Sequence, residues 1–287
     1  MSAPDRISPR RGLAAALLAG ALHGPAEALP VSSSAHVAFV ARLAAGRRGR
    51  RPADPELAKS VEVGAHAGTL AGLAVGLRRE GGLVVRTALR EPRLAARAAL
   101  RIGVASLPAV LGALTCERLI EGHLGGDRAI AAGLAAGSVA MTLADARPAD
   151  GRDWTDATLL DALAIGTAQS MALWPGVSRS GAVLTAARAR GFSRAASGRI
   201  SAALAVPVVG GATLLKLVRL SARLRAGTLD RGQVTVLTAV TATAAASGVL
   251  AAPTARRTLD GVPLAPFAAY RVALAGALAA ADRRWRR

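Results

Sequence analysis

The 287-residue chain is 52% hydrophobic but only 2% aromatic, with 31 glycines, a balance that argues against a soluble domain with an aromatic-rich core. It suits small-residue helices packed closely in lipid. The formal charge of +19 could serve nucleic acid, but the arginines fall between apolar runs and not on one face or tail. That placement argues for cytoplasmic loops and lipid headgroups, with no nucleic-acid partner.

Residues 1–11 are basic (Arg6, Arg10, Arg11) and precede an apolar run from Leu13 to Leu22. A signal peptide has that order too, but a polar motif follows at once and many more apolar segments come later. The motif is Glu27-Ala-Leu-Pro30-Val-Ser32-Ser33-Ser34-Ala-His36, and an echo, Pro175-Gly-Val-Ser178-Arg179-Ser180-Gly-Ala182, lies about half a chain later. Polar, proline-broken loops placed once in each half are how many membrane proteins build a site from an internal repeat.

Further apolar runs cover 37–45, 61–77, 98–115, 129–144, 157–173, 200–218, 234–252 and 264–281. Several reach the roughly 17–20 residues of a spanning helix. The short runs beside the serine loops read as re-entrant hairpins, because non-helical backbone survives at membrane depth only where protein or water satisfies it. The expectation is one all-α membrane domain over 1–287, with about six full spans, two re-entrant pairs and repeat halves near 12–145 and 157–281. Positive charge puts 78–97 in the cytoplasm and the more acidic 116–128 outside. Arg47, Arg48, Arg50 and Arg51 fit that scheme only if the segment after them is re-entrant. Residues 145–156 read as a linker, Arg283–Arg287 as an interfacial anchor, and the single cysteine, Cys116, as a small packed residue.

Ser178-Arg179-Ser180 sets a planar five-donor guanidinium between two hydroxyls, after Pro-Gly and before an apolar helix. That arrangement suits phosphate; Ser180 would also serve as the helix N-cap, itself an anion site. Ser32, Ser33, Glu27 and His36 put a hydroxyl nucleophile, a carboxylate and an imidazole in one loop. A carboxylate beside an apolar run needs a partner, a metal or a raised pKa. His23, four residues before Glu27, shares its helix face, so the two could hold a divalent cation with phosphate oxygens completing the shell. Glu62 and His66 repeat the spacing, and read either as a helix-face pair or, lying near membrane depth, as functional groups.

At these residues the chain resembles the undecaprenyl-diphosphatase (bacitracin-resistance) family, from about Leu17 to Leu278. The first signature is Glu27 to Ser33 with His36; the second and more specific is Pro175 to Ala182 with Thr185. Glu62–Thr69, Leu107–Gly112, Gly191–Arg194, Ala205–Pro207 and Pro266–Arg271 are similar as well. The resemblance implies a bacterial plasma-membrane protein with inverted repeats. It implies hydrolysis of undecaprenyl diphosphate to the monophosphate carrier of cell-wall synthesis, dependent on Mg²⁺ or Ca²⁺. By position, Glu27 would handle metal or proton transfer, Ser33 would be the nucleophile or position phosphate, and Arg179 would bind the diphosphate. Ser32, Ser178, Ser180, Thr185 and His36 would complete the shell. Expected partners are the polyprenyl diphosphate, the membrane and a second copy of the chain.

Three positions depart from the family pattern: His23 replaces a usual glutamate, Ala35 a usual glycine, and His66 a common glutamine. Losing a carboxylate should weaken Mg²⁺ or Ca²⁺ binding, whereas paired imidazoles favour a softer metal or proton transfer. Loss of the glutamate also leaves room for a second reading, a polyprenyl-phosphate transporter with little phosphatase activity.

Overall fold

A computed structural model describes residues 9–45, 55–148 and 151–286, and among these the chain is all-α. The arginines at 47–51 and the side chains of the 283–287 tail lie outside the described residues. The helices are α1 (Pro9–Ala28), α2 (Ser33–Ala45), α3 (Pro55–Gly76), α4 (Arg78–Arg90), α5 (Pro92–Leu124) and α6 (Asp127–Asp145). The second half supplies α7 (Leu159–Ser170), α8 (Arg179–Ala189), α9 (Arg194–Ala205), α10 (Gly211–Arg225), α11 (Arg231–Asp260) and α12 (Ala265–Arg286). A π-helical turn at Val206–Gly210, where Pro207 removes a backbone donor, joins α9 to α10.

Glycine sets how closely the helices meet. Gly20 and Gly24 of α1 press on Val240–Thr243 and Ser247–Gly248 of α11. Gly64, Gly68, Gly72 and Gly76 form a four-residue-spaced ridge on α3 that tracks α11 from Leu237 to Ala252. A Cβ at Gly68 would lie 2.2 Å from the Thr241 carbonyl oxygen, and one at Gly72 2.1 Å from that of Ala245. This is the small-residue packing anticipated from composition. Residue numbers rise together along both contacts, so α1 and α3 run parallel to α11.

The second half repeats the arrangement with the opposite sense. Arg101 of α5 donates to the Trp154 and Thr155 carbonyls, Gly166 meets Ala105, and Leu173 meets Gly112, so α7 runs parallel to α5. A belt of ion pairs fixes where α7 begins. Asp161 takes Arg152 and Arg190 at 2.7 Å each, while Asp145 takes Arg188 and Arg194 and accepts from the Leu264 backbone N–H just beyond α11. Hairpin α1–α2 therefore enters from the side where α11 starts, and hairpin α7–α8 from the side where it ends. The stretch read as a linker is pinned by this belt, with capping boxes at Asp153 and Thr158.

Among the described residues three helical stretches are long and apolar enough to cross a membrane: Pro92–Cys116, Arg194–Arg225 and Arg231–Asp260. Leu159–Leu173 and Ala265–Ala281 are apolar but shorter. About six full spans were expected; α3, which carries Lys59 and Glu62, and α6, bounded by Asp127 and Asp145, fall short of that apolar measure. Leu107, Leu111 and Leu114 on α5 and Leu214, Leu215 and Val218 on α10 are exposed, as lipid-facing residues should be. Helix α4 buries no residue; it shows Leu83, Val84, Val85 and Leu89 beside arginines, the pattern of a helix lying at an interface. Cys116 is half-buried, less packed than expected.

Candidate active site

Each hairpin turns through a short loop that carries a serine in the left-handed region, Ser32 at φ 71° and Ser178 at φ 69°. Residues other than glycine rarely adopt such angles, and they concentrate at sites where surrounding contacts hold them. In both loops the serine reaches the hydroxyl two residues on: Ser32 to Ser34 at 3.1 Å and Ser178 to Ser180 at 3.3 Å. Ser178 Oγ also accepts from the Gly181 backbone N–H, so the N-cap of α8 is Ser178 and not Ser180 as expected. The positive φ turns the chain early enough for helix to begin at Arg179.

The two loops touch. Ser180 donates to the Leu29 carbonyl at 3.3 Å. Arg271 of α12, fully buried, donates to the carbonyls of Pro30 and Gly176, each two residues before its loop's left-handed serine, and to Leu134 and Val177. One guanidinium thereby holds both loops at matching positions. A lone arginine in the apolar run 264–281 was the available sequence signal, since charge at membrane depth marks structure or function.

Glu27 stands at the centre. Its Oε2 accepts from the Ser33 hydroxyl at 2.8 Å and lies 3.9 Å from His66 Nε2; its Oε1 lies 3.7 Å from an Arg179 guanidinium nitrogen. Arg179 is steadied by the Ser201 carbonyl at 2.6 Å, and its Nε, buried, has no partner. Carboxylate and guanidinium come from opposite halves of the chain and meet at the hairpin tips. Gly24 bonds Ser247, near the middle of the thirty-residue α11, which sets the depth of the site.

His23 is fully buried one helical turn before Glu27, with Nδ1 2.9 Å from the Thr69 hydroxyl and Nε2 without a partner. His66 does not pair with the Glu62 carboxylate: its Nδ1 donates to the Glu62 backbone carbonyl, and the ring turns toward Glu27. His23, Glu27 and His66 each offer a ligand atom within 4.8 Å of the others. His36 is engaged on both ring nitrogens, donating from Nδ1 to the Ser32 carbonyl and accepting from the Tyr270 hydroxyl, both at 2.7 Å. Thr185 lies roughly 9 Å farther along α8 than Arg179. Its hydroxyl is buried without a partner, and among the described residues no hydrogen bond ties it to Glu27. Of the residues singled out by sequence, the fold brings together Glu27, Ser33, His23, His66, Arg179 and the four loop serines, while Thr69, Tyr270 and Arg271 had been given no role of their own.

Known proteins match this chain over nearly its whole length. The model of the family described as bacitracin resistance protein BacA matches residues 16–277. The chain is 36% identical to an undecaprenyl-diphosphatase of Geobacter sulfurreducens, covering 92% of this chain and 96% of that protein. It is 34% identical to one from Sorangium cellulosum (92% and 84%) and 33% identical to one from Chromohalobacter salexigens (88% and 92%). With its helices, hairpins and paired loops already in view, the chain is a multi-pass bacterial membrane protein that belongs to the BacA family.

Proposed function

We propose that the chain is an undecaprenyl-diphosphate phosphatase, releasing the terminal phosphate and leaving the monophosphate lipid carrier. The observation that carries this reading is the meeting of Glu27, Ser33 and Arg179 across two hairpins at the depth of mid-α11. An anionic headgroup at that depth needs cationic and hydrogen-bonding groups, while the polyprenyl tail needs the apolar helix surface around them. Arg179 binds the diphosphate through guanidinium hydrogens left over from Ser201, at the amino end of α8, where helix N–H groups favour anions. Glu27, bonded to the Ser33 hydroxyl, takes the proton as Ser33 or a water attacks the terminal phosphorus. The bridging P–O bond breaks and the lipid monophosphate leaves; where Ser33 attacks, water then hydrolyses the phosphoserine to release phosphate. His36 is a positioning residue that locks the Ser32 carbonyl and hence the loop.

The residues fit a divalent cation, since His23 Nε2 is buried and unpartnered beside the Glu27 carboxylate. His23 and Glu27 would hold it, and when bound it supplies positive charge to the phosphate oxygens. Both hairpins come from one chain, so the homodimer also expected from the sequence is not needed to bring them together. The relatives, undecaprenyl-diphosphatases, weigh against the transport reading. The test is phosphate release from undecaprenyl diphosphate by purified protein in detergent. Release that disappears in Glu27→Gln and Arg179→Ala supports the proposal; wild-type protein that moves the lipid across liposomes without releasing phosphate refutes it.

A further inference from the structure

Hydrogen bonding around His66 fixes more than its position. The Glu62 backbone carbonyl can only accept, so His66 carries its hydrogen on Nδ1 and keeps a lone pair on Nε2, the nitrogen turned to Glu27. The Thr69 hydroxyl can accept from His23 Nδ1, and in that tautomer Nε2 keeps its lone pair in a fully buried position where it has no hydrogen-bond partner. The rings approach edge to face at 4.5 Å between centroids. Two imidazole lone pairs and a carboxylate oxygen, within 4.8 Å of one another, converge on a space that favours a cation. A histidine whose other nitrogen is held by a carbonyl or hydroxyl is how proteins orient a metal ligand.

We propose that His23, Glu27 and His66 form a transition-metal site, taking Zn²⁺, Mn²⁺, Fe²⁺ or Co²⁺ in preference to Mg²⁺ or Ca²⁺. The Thr69 hydroxyl and the Glu62 carbonyl are its orienting shell. Mg²⁺ and Ca²⁺ are hard ions that favour all-oxygen shells, and two imidazoles replace oxygens here. Two nitrogens and one carboxylate leave positions open for phosphate oxygens. The site deepens the phosphatase reading by naming its metal class and a third ligand, His66, and its role in that chemistry rests on the reading.

The test needs no substrate. Purified protein in detergent is stripped with chelator and titrated with Zn²⁺, Mn²⁺, Co²⁺, Mg²⁺ and Ca²⁺ separately. Bound metal is counted by elemental analysis after dialysis, and Co²⁺ is also followed by its visible absorption. The site predicts one transition metal per chain, bound at least about 100-fold tighter than Mg²⁺ or Ca²⁺. His66→Gln and His23→Gln should each abolish the Co²⁺ spectrum, and Thr69→Val should weaken binding by about 10-fold. Size-exclusion profiles matching wild type show that each variant is folded.

Equal or tighter binding of Mg²⁺, or a Co²⁺ spectrum unchanged in His66→Gln, overturns the site. These outcomes are separable from failure of the phosphatase reading. Protein that binds Co²⁺ as predicted yet releases no phosphate under any metal keeps the site and loses the reaction. Protein that releases phosphate with Mg²⁺ but binds no transition metal keeps the reaction and loses the site.

Discussion

Ser32 and Ser178, about half a chain apart, share a left-handed backbone at φ 71° and 69° and each reaches the serine two residues on. Their conformation tests whether strain or side-chain bonding matters more. Ser178→Ala keeps the strain and loses the cap, while Ser178→Gly relieves the strain. We expect Ser178→Ala to cost about 1–2 kcal/mol and Ser178→Gly about 1 kcal/mol less. Thermal unfolding in detergent measures the order; equal losses would contradict it.

Arg271 is the fixture common to both loops. Its hydrogens go to four carbonyls, Pro30, Leu134, Gly176 and Val177, and no carboxylate among its hydrogen-bond partners balances its charge. Arg271→Met strands those acceptors, at about 1–3 kcal/mol for a buried polar group left unsatisfied. Arg271→Lys, which lacks the planar fork, should lower the melting temperature and abolish phosphate release although no substrate-binding side chain changes. A Lys variant with full activity would show that the loops hold together without this arginine.

The glycine ridge makes a prediction with an internal control. Gly72→Ala places a Cβ 2.1 Å from a backbone oxygen of α11 and must push the helices apart, costing about 1–3 kcal/mol. Gly81→Ala, with nothing within 4 Å on the exposed α4, should stabilise by about 0.5–1 kcal/mol through helix propensity. Melting temperatures of the two variants should therefore move in opposite directions.

The Asp145 belt lies at helix ends, outside the spans. Burial alone would raise the Asp145 pKa, but hydrogen bonds from Arg194 and the Leu264 N–H, with the Arg188 charge, outweigh it and hold the group below the usual carboxylate range. A depressed folded-state pKa contributes stability above the unfolded value and loses it as pH falls through the folded value. Wild type should thus lose stability as pH drops below about 4. Asp145→Asn should be about 2–3 kcal/mol less stable at neutral pH, with the gap closing in acid. Melting temperature against pH reads both.

Local features were legible in the chain itself. The serine loops, the hairpins they close and the α1 face shared by His23 and Glu27 all follow from spacing and from proline in apolar surroundings. What spacing cannot show is where a side chain turns between two bonding choices. Glu62 and His66 looked like a pair at four residues, yet the helix carbonyl captures Nδ1 and sends the ring to Glu27 on another helix. Arg271 and Tyr270 meet the loops only because α12 returns from the far end of the chain. Hydropathy leaves out α3 and α6, which carry or adjoin charge, although the glycine ridge of α3 packs along the spanning helix α11.

The central claim is that Glu27 and Arg179, 3.7 Å apart, act on one headgroup, and a double-mutant cycle on phosphate release tests it most directly. Glu27→Gln and Arg179→Ala should each reduce kcat/KM by at least about 100-fold, and the double variant should lose little more than the worse single one, as residues acting as a unit do. Losses that multiply in the double variant, or a single variant that keeps wild-type release, would mean that the two hairpins do not build one site.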